Sequence, residues 1–314
     1  MAQVLVLLVL LLSLITPTHA AYFGQNQIRN VSSTESRLAQ ATAIAVLNRG
    51  YVVSEKQKTL RLETDVLSQF CKDELFYNEP SVAFSCTGFL IAPDLLVTAG
   101  HCVYAVNTPN QEIQNESGLA CEAFDWIFDY EKKSDGSVET QSIPLDRLYH
   151  CKQIIYAVQK ETAPYADYAL IQLDRPVLDR QPLKMSPNPV VIGEPVKMIG
   201  HPFGTPKKIS DQGQVILNNN SYSSLVTNLD AFVGFSGSPV LNSKDEVIGV
   251  LVGGLPSANT YVDSQNKCER LNHCDLDGKN CVLPDKDMSF YPAFQKIGSE
   301  VQRIDPLREL LQKF

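Results

Sequence analysis

The chain has 314 residues, enough for one large core or two small ones, and its 44% hydrophobic and 20% charged content is that of a globular protein rather than a disordered or fibrous one. Its 27 Lys and Arg against 35 Asp and Glu give a net charge of −8. With no basic patch, that balance argues against nucleic acid as a partner and favours a soluble, acidic exterior.

Residues 1–20 contain an unbroken apolar run over 4–12 and end Thr18-His19-Ala20, with small residues where a signal peptidase reads. The run is too short for a permanent span, although no Lys or Arg precedes it, and export to a secreted or periplasmic location is expected. Residues 21–60 open polar and then read Arg37-Leu-Ala-Gln-Ala-Thr-Ala-Ile-Ala-Val-Leu47 before Asn48-Arg49-Gly50, which predicts a helix and its stop. Two readings stay open for this span: a propeptide, cut after Arg49 to activate a zymogen, or an N-terminal extension packed on the second half of the chain.

Over 61–175 short apolar runs alternate with turns, at 82–86, 89–91, 95–97, 124–130 and 169–173. Such density of strands without convincing helices predicts an all-β barrel. Residues 174–189 carry Pro176, Pro182, Pro187 and Pro189, suited to an extended crossing into the second part of the chain, 176–314. Strands are expected there at 195–200, 214–217, 224–227 and 246–252. At the end, Asp305 as N-cap, Pro306 at the first helical position and Leu307, Leu310, Leu311 and Phe314 on one face predict a closing helix.

Eight cysteines follow the leader, and an even count in an exported chain reads as disulfides. A zinc site from Cys268, His273, Cys274 and Cys281 lacks close paired-cysteine spacing. Residues 275–280 hint at calcium but lack the sixth-position glycine and distal glutamate of an EF-hand, so a disulfide-closed turn is the better reading. No metal or cofactor is expected. Asn30, Asn115 and Asn219 head glycosylation sequons, used only if the host glycosylates asparagine.

Three stretches carry chemistry. Leu95-Leu-Val-Thr-Ala-Gly-His101-Cys102 ends a strand on an imidazole, which near its usual pKa of about 6.5 can take and return a proton. Gly234-Phe-Ser236-Gly-Ser-Pro239 sets a serine between glycines, where a hydroxyl can stand beside the N–H groups of Gly234 and Ser236 as oxyanion donors. Between them, Asp167 opens the strand-like Asp167-Tyr-Ala-Leu-Ile-Gln-Leu and can orient the imidazole. A second histidine, His201, sits in a Pro-Gly loop and is a poorer candidate for the base.

These blocks resemble the three signatures of the trypsin-like serine proteases, and Ser238-Pro239 with Thr227-Asn-Leu-Asp230 is closest to the bacterial branch that includes the glutamyl endopeptidases. The resemblance runs from about residue 76 to 254. It implies two antiparallel six-stranded β-barrels of chymotrypsin-like fold, one giving His101 and Asp167 and the other Ser236. It also implies a Cys86–Cys102 disulfide pinning the base; Cys121 with Cys151 is the next expected pair, bracketing a hairpin, and the other four are unassigned. By the same resemblance the strand holding Leu251, Val252 and Gly253 lines the specificity pocket and pairs with substrate backbone. Leu251 and Ala231 replace the histidine and threonine that hold a glutamate in that branch, which puts glutamate preference in doubt. Asp230 falls where trypsin has the aspartate that selects Arg or Lys, although an aspartate is frequent here in the bacterial branch without that preference. Phe235 stands where the digestive enzymes have the aspartate that pairs with a freed amino terminus, so that switch is missing.

The expected function is therefore an exported, monomeric serine endopeptidase acting on protein or peptide through an acyl-enzyme, with no membrane span once the signal is removed. Its competitors are a catalytically silent binding or adhesion module on the same fold and an α/β-hydrolase esterase. The last needs Gly-x-Ser-x-Gly and the order Ser, Asp, His, and the chain has neither.

Overall fold

The computed structural model describes residues 22–24, 27–83, 85–103, 111–160, 165–219, 222–254, 260–282 and 297–312. The expected signal peptide, Phe84 of the 82–86 run and Phe314 of the closing helix lie outside the described residues. Two closed antiparallel barrels of six strands each make up the protein. In the first, Leu148–Lys160 is followed around the ring by Phe124–Phe128, Thr42–Leu47, Cys86–Ala92, Leu95–Thr98 and Ala166–Leu173, which pairs back onto Leu148–Lys160. In the second, Pro195–Gly200 is followed by Pro239–Asn242, Val247–Gly253, Ser299–Arg303, Ser224–Thr227 and Lys208–Leu217, which pairs back onto Pro195–Gly200. Closure removes the exposed edges that an open sheet would leave. The two-barrel architecture is the expected one.

The N-terminal region departs from its expectation. Only Ser36–Gln40 is helical, and Thr42–Leu47 is a strand of the first barrel, between Phe124–Phe128 and Cys86–Ala92. The reason is burial on both faces. Ala43 and Ala45 point into the barrel core with Phe89, Trp126 and Leu170, while Ile44 and Val46 pack outward under Leu60, Leu62 and Ile127. A strand apolar on both sides has no alternation, and its unbroken run of Ala, Ile and Val reads like a buried helix. The outer cover is a three-stranded sheet of Tyr51–Ser54, Thr59–Leu62 and Ile143–Pro144. Cutting after Arg49 would therefore take a barrel strand away, and the first barrel begins before residue 61. Further upstream, Ile28–Asn30 adds to the second barrel beside Lys208–Leu217, so this one segment touches both halves.

The crossing from 174 to 189 is irregular and extended, as its prolines require. Four disulfides join Cys71 to Cys268, Cys86 to Cys102, Cys121 to Cys151 and Cys274 to Cys281. The two expected pairs are both present. The last one closes the 275–280 turn. The terminal helix, Asp305–Leu311, buries Leu307; Asp305 lies inside its first turn rather than at the cap, and pairs with Arg308 at 3.2 Å. Among the described residues no helix is long and apolar enough to cross a membrane.

Candidate active site

Strand register brings Asp167 to His101. Ala169 faces Thr98 across the antiparallel pair, so Asp167, two residues earlier, falls opposite the turn Gly100–Cys102 that follows Thr98. There Asp167 Oδ2 lies 2.6 Å from His101 Nδ1, and Oδ1 accepts the main-chain N–H of His101 at 2.8 Å. Both oxygens of one carboxylate are thus spent on one histidine, which fixes its ring. Nδ1 holds the proton that the carboxylate accepts, leaving Nε2 to act as the proton acceptor. Burial disfavours the imidazolium, but the charge and hydrogen bond of Asp167, with a smaller contribution from Glu300, outweigh it and raise the His101 pKa above its ordinary value.

Ser236 reaches this corner because its loop is stitched to the first barrel. The N–H of Thr87 donates to the Ser236 carbonyl at 2.7 Å, and Thr87 Oγ1 donates to the Gly234 carbonyl at 2.9 Å. Cys102, the neighbour of His101, places its Sγ 3.8 Å from the same Ser236 carbonyl. Gly237 takes φ +86, and a Cβ there would sit 1.9 Å from the Thr87 carbonyl oxygen; only glycine allows this approach. On the other side Gly237 N–H donates to Leu251 O at 2.7 Å, tying the loop to Val247–Gly253. Within the loop, Phe235 and Ser238 also spend their N–H groups on main-chain carbonyls. Among the described residues no acceptor lies on the N–H groups of Gly234 and Ser236, the two expected oxyanion donors. Phe235 itself is fully buried in the second core beside Phe232, Val240 and Leu251, an apolar contact where the digestive enzymes have an ion pair.

A family model described as a trypsin-like peptidase domain matches residues 86–250, more than half of the chain and a span that includes His101, Asp167 and Ser236. The chain belongs to the trypsin-like peptidase family. A solved structure of a Glu endopeptidase in complex with MPD is similar over 93% of this chain and 97% of that one, at 13% identity and a TM-score of 0.44. At that distance the likeness says nothing about this peptidase's substrate.

Other residues singled out in the sequence of this trypsin-like peptidase have different surroundings. Asp230 is completely buried, and its two oxygens accept the main-chain N–H groups of Phe23 and Gln27, each at 2.7 Å. Its carboxylate faces the N-terminal segment rather than an open pocket. Burial, only partly offset by those two bonds, pushes its pKa up to about 7. Ala231 and Leu251 are core residues of the second barrel with no appreciable surface, whereas Val252 and Gly253 are half-buried at the end of their strand. His201 is fully buried, donates from Nδ1 to Thr205 O at 3.0 Å and stacks on Tyr130; burial and the nearby Lys207 and Lys208 hold its pKa well below the ordinary range. It has no carboxylate partner among the described residues and is unsuited to the role of base. Two groupings have metal-like spacing, Cys86 with His101 and Cys102, and Cys71 with Asp263 and Cys268, but each contains both sulfurs of a disulfide and so lacks the thiolate that a metal would need.

Sequence reasoning missed Thr87 and Glu300. Neither stands in a motif; each bears on the site only once the two barrels meet.

Proposed function

We propose that this peptidase is an exported serine endopeptidase that works through His101, Asp167 and Ser236. The observation that carries the reading is the double use of the Asp167 carboxylate, with Oδ2 on His101 Nδ1 at 2.6 Å and Oδ1 on the His101 main chain at 2.8 Å. Ser236 Oγ attacks the scissile carbonyl while its proton passes to His101 Nε2, and the imidazolium formed is stabilised by Asp167. The N–H groups of Gly234 and Ser236 receive the negative charge that develops on the carbonyl oxygen. His101 then returns the proton to the leaving amine, the C–N bond breaks, and an acyl-Ser236 ester remains. Water, deprotonated by the same imidazole, releases the acid and restores Ser236.

Peptide backbone is taken to add alongside the half-buried end of Val247–Gly253, at Val252 and Gly253, as an extra strand. Asp230 is taken as a clasp for the N-terminal segment, not a selector of substrate charge. Four disulfides suit an oxidising, extracytoplasmic compartment. The working form is taken to be a monomer.

The test is hydrolysis of an unstructured protein such as casein by the purified chain. Ser236→Ala is expected to lower kcat by about 10⁶-fold with the fold intact, as loss of a nucleophile does elsewhere. Because His101 must be neutral to accept the proton and its pKa is raised, the acid limb of kcat/KM should have its midpoint above 6.5. A Ser236→Ala chain that hydrolyses casein as fast as the parent would end the Ser236 reading, and a parent chain with no hydrolysis would leave the silent binding module.

A further inference from the structure

Gln302 lies in the strand Ser299–Arg303 of the second barrel, in register with Ser224 on one side and Val250 on the other, and its side chain is completely buried. Its carboxamide crosses to the first barrel. Oε1 accepts the main-chain N–H of Asp167 at 3.0 Å, while Nε2 donates to the Ser223 carbonyl at 3.0 Å and lies 3.4 Å from that of Arg303. The orientation of the amide is set by its partners, since an N–H can only donate and a carbonyl can only accept.

We propose that Gln302 is a positioning residue for the acid–base pair: by accepting the Asp167 N–H it fixes the backbone from which the His101-binding carboxylate hangs, and fixes it to the barrel that carries Ser236. The inference rests on the His101–Asp167–Ser236 reading. Without Gln302 the Asp167 N–H loses its acceptor on the second barrel, and a shift of the order of 1 Å at a catalytic group is enough to cost about 100-fold in rate. A residue without the carboxamide would take this acceptor away from the Asp167 N–H, so the amide is spent on the backbone of the acid.

The experiment compares Gln302→Met, which keeps length and removes both hydrogen bonds, with Gln302→Glu, which keeps an acceptor for the Asp167 N–H. In Gln302→Met kcat is expected to fall 10- to 100-fold with KM within about twofold, per site counted by exhaustive fluorophosphonate labelling. The acid limb of its kcat/KM profile should move to lower pH, because the imidazolium loses part of its hold on Asp167. The carboxylates that bear on His101 are Asp167 from its own barrel and Glu300 from the other. Gln302→Glu, its buried carboxyl protonated so that the O–H donates to the Ser223 carbonyl while the other oxygen accepts the Asp167 N–H, should recover most of kcat and leave the limb near its parental position. If Gln302→Met does not fold, Gln302→Asn, whose amide is one methylene too short to reach Asp167, is expected to show the same loss. Parental kcat and an unmoved pH profile in Gln302→Met, or in Gln302→Asn where that variant decides, would overturn the proposal. The underlying triad reading fails separately, through an active Ser236→Ala chain.

Discussion

Asp167 and Asp230 mark two regions of the molecule in which a carboxylate leaves water and is tied by main-chain N–H groups, and they differ in what else each touches. Asp167 sits at the barrel junction with one N–H and one imidazole, so its partner can gain and lose a proton. Asp230 sits under the N-terminal segment with two N–H groups and no cation, and burial drives its pKa up to about 7. A carboxylate does chemistry where its partner titrates, and holds structure where its partner is fixed main chain. The same residue type, half-buried at Asp167 and fully buried at Asp230, is assigned two roles by the partner it holds.

Asp167→Asn should break the comparison hardest. The asparagine oxygen can still accept the His101 N–H, but its amide then faces Nδ1 as a donor and forces the imidazole into the tautomer with Nε2 already protonated. A fall in kcat of about 10³- to 10⁴-fold with little change in KM is expected from steady-state kinetics, the size seen for that tautomer defect in other triads. A loss under tenfold would mean the carboxylate is not orienting the base.

Asp230→Asn sharpens the other side. The folded-state pKa of Asp230 lies above its unfolded value of 3.8, so the folded chain binds that proton more tightly. The corresponding stability is fully present below pH 3.8 and is lost as the pH rises to about 7, at no more than about 1.4 kcal/mol per pH unit. Asparagine carries no such proton. Thermal melting from pH 4 to 8 should therefore show the parent losing ground steadily against Asp230→Asn, whereas kcat of the variant stays near the parental value. Parallel melting curves would mean that the carboxylate is ionised at all these pH values.

Thr87→Val probes the seam between the regions with the smallest effect. The methyl replaces a hydroxyl that donates to Gly234 O and accepts the His201 N–H at 3.0 Å, leaving two buried main-chain groups unpaired. Destabilisation of about 1–3 kcal/mol in denaturant unfolding and a few-fold drop in kcat are expected. Unchanged values in both would show that the loop keeps its shape without this tie.

How much of this was legible in the residues follows the same division. The blocks around His101, Asp167 and Ser236 are local, and strand-end and turn chemistry announce them without any tertiary knowledge. A barrel in the first half was legible from the density of short apolar runs, and the second through the resemblance that the three motifs carry. Thr42–Leu47 was not, because a strand buried on both faces loses the alternation that distinguishes it from a helix. The surroundings of Asp230 were not legible, because its partners, Phe23 and Gln27, lie some two hundred residues upstream. Thr87, Glu300 and Gln302 belong to the same class: ordinary strand residues that acquire meaning only at the meeting of two barrels.

The most direct test of the central claim is to treat the mature chain with a serine-directed fluorophosphonate and map the adduct by mass spectrometry. The account predicts a single adduct on Ser236, abolished when His101 is replaced by alanine. No adduct, or one on another serine with Ser236 unmodified, would contradict it.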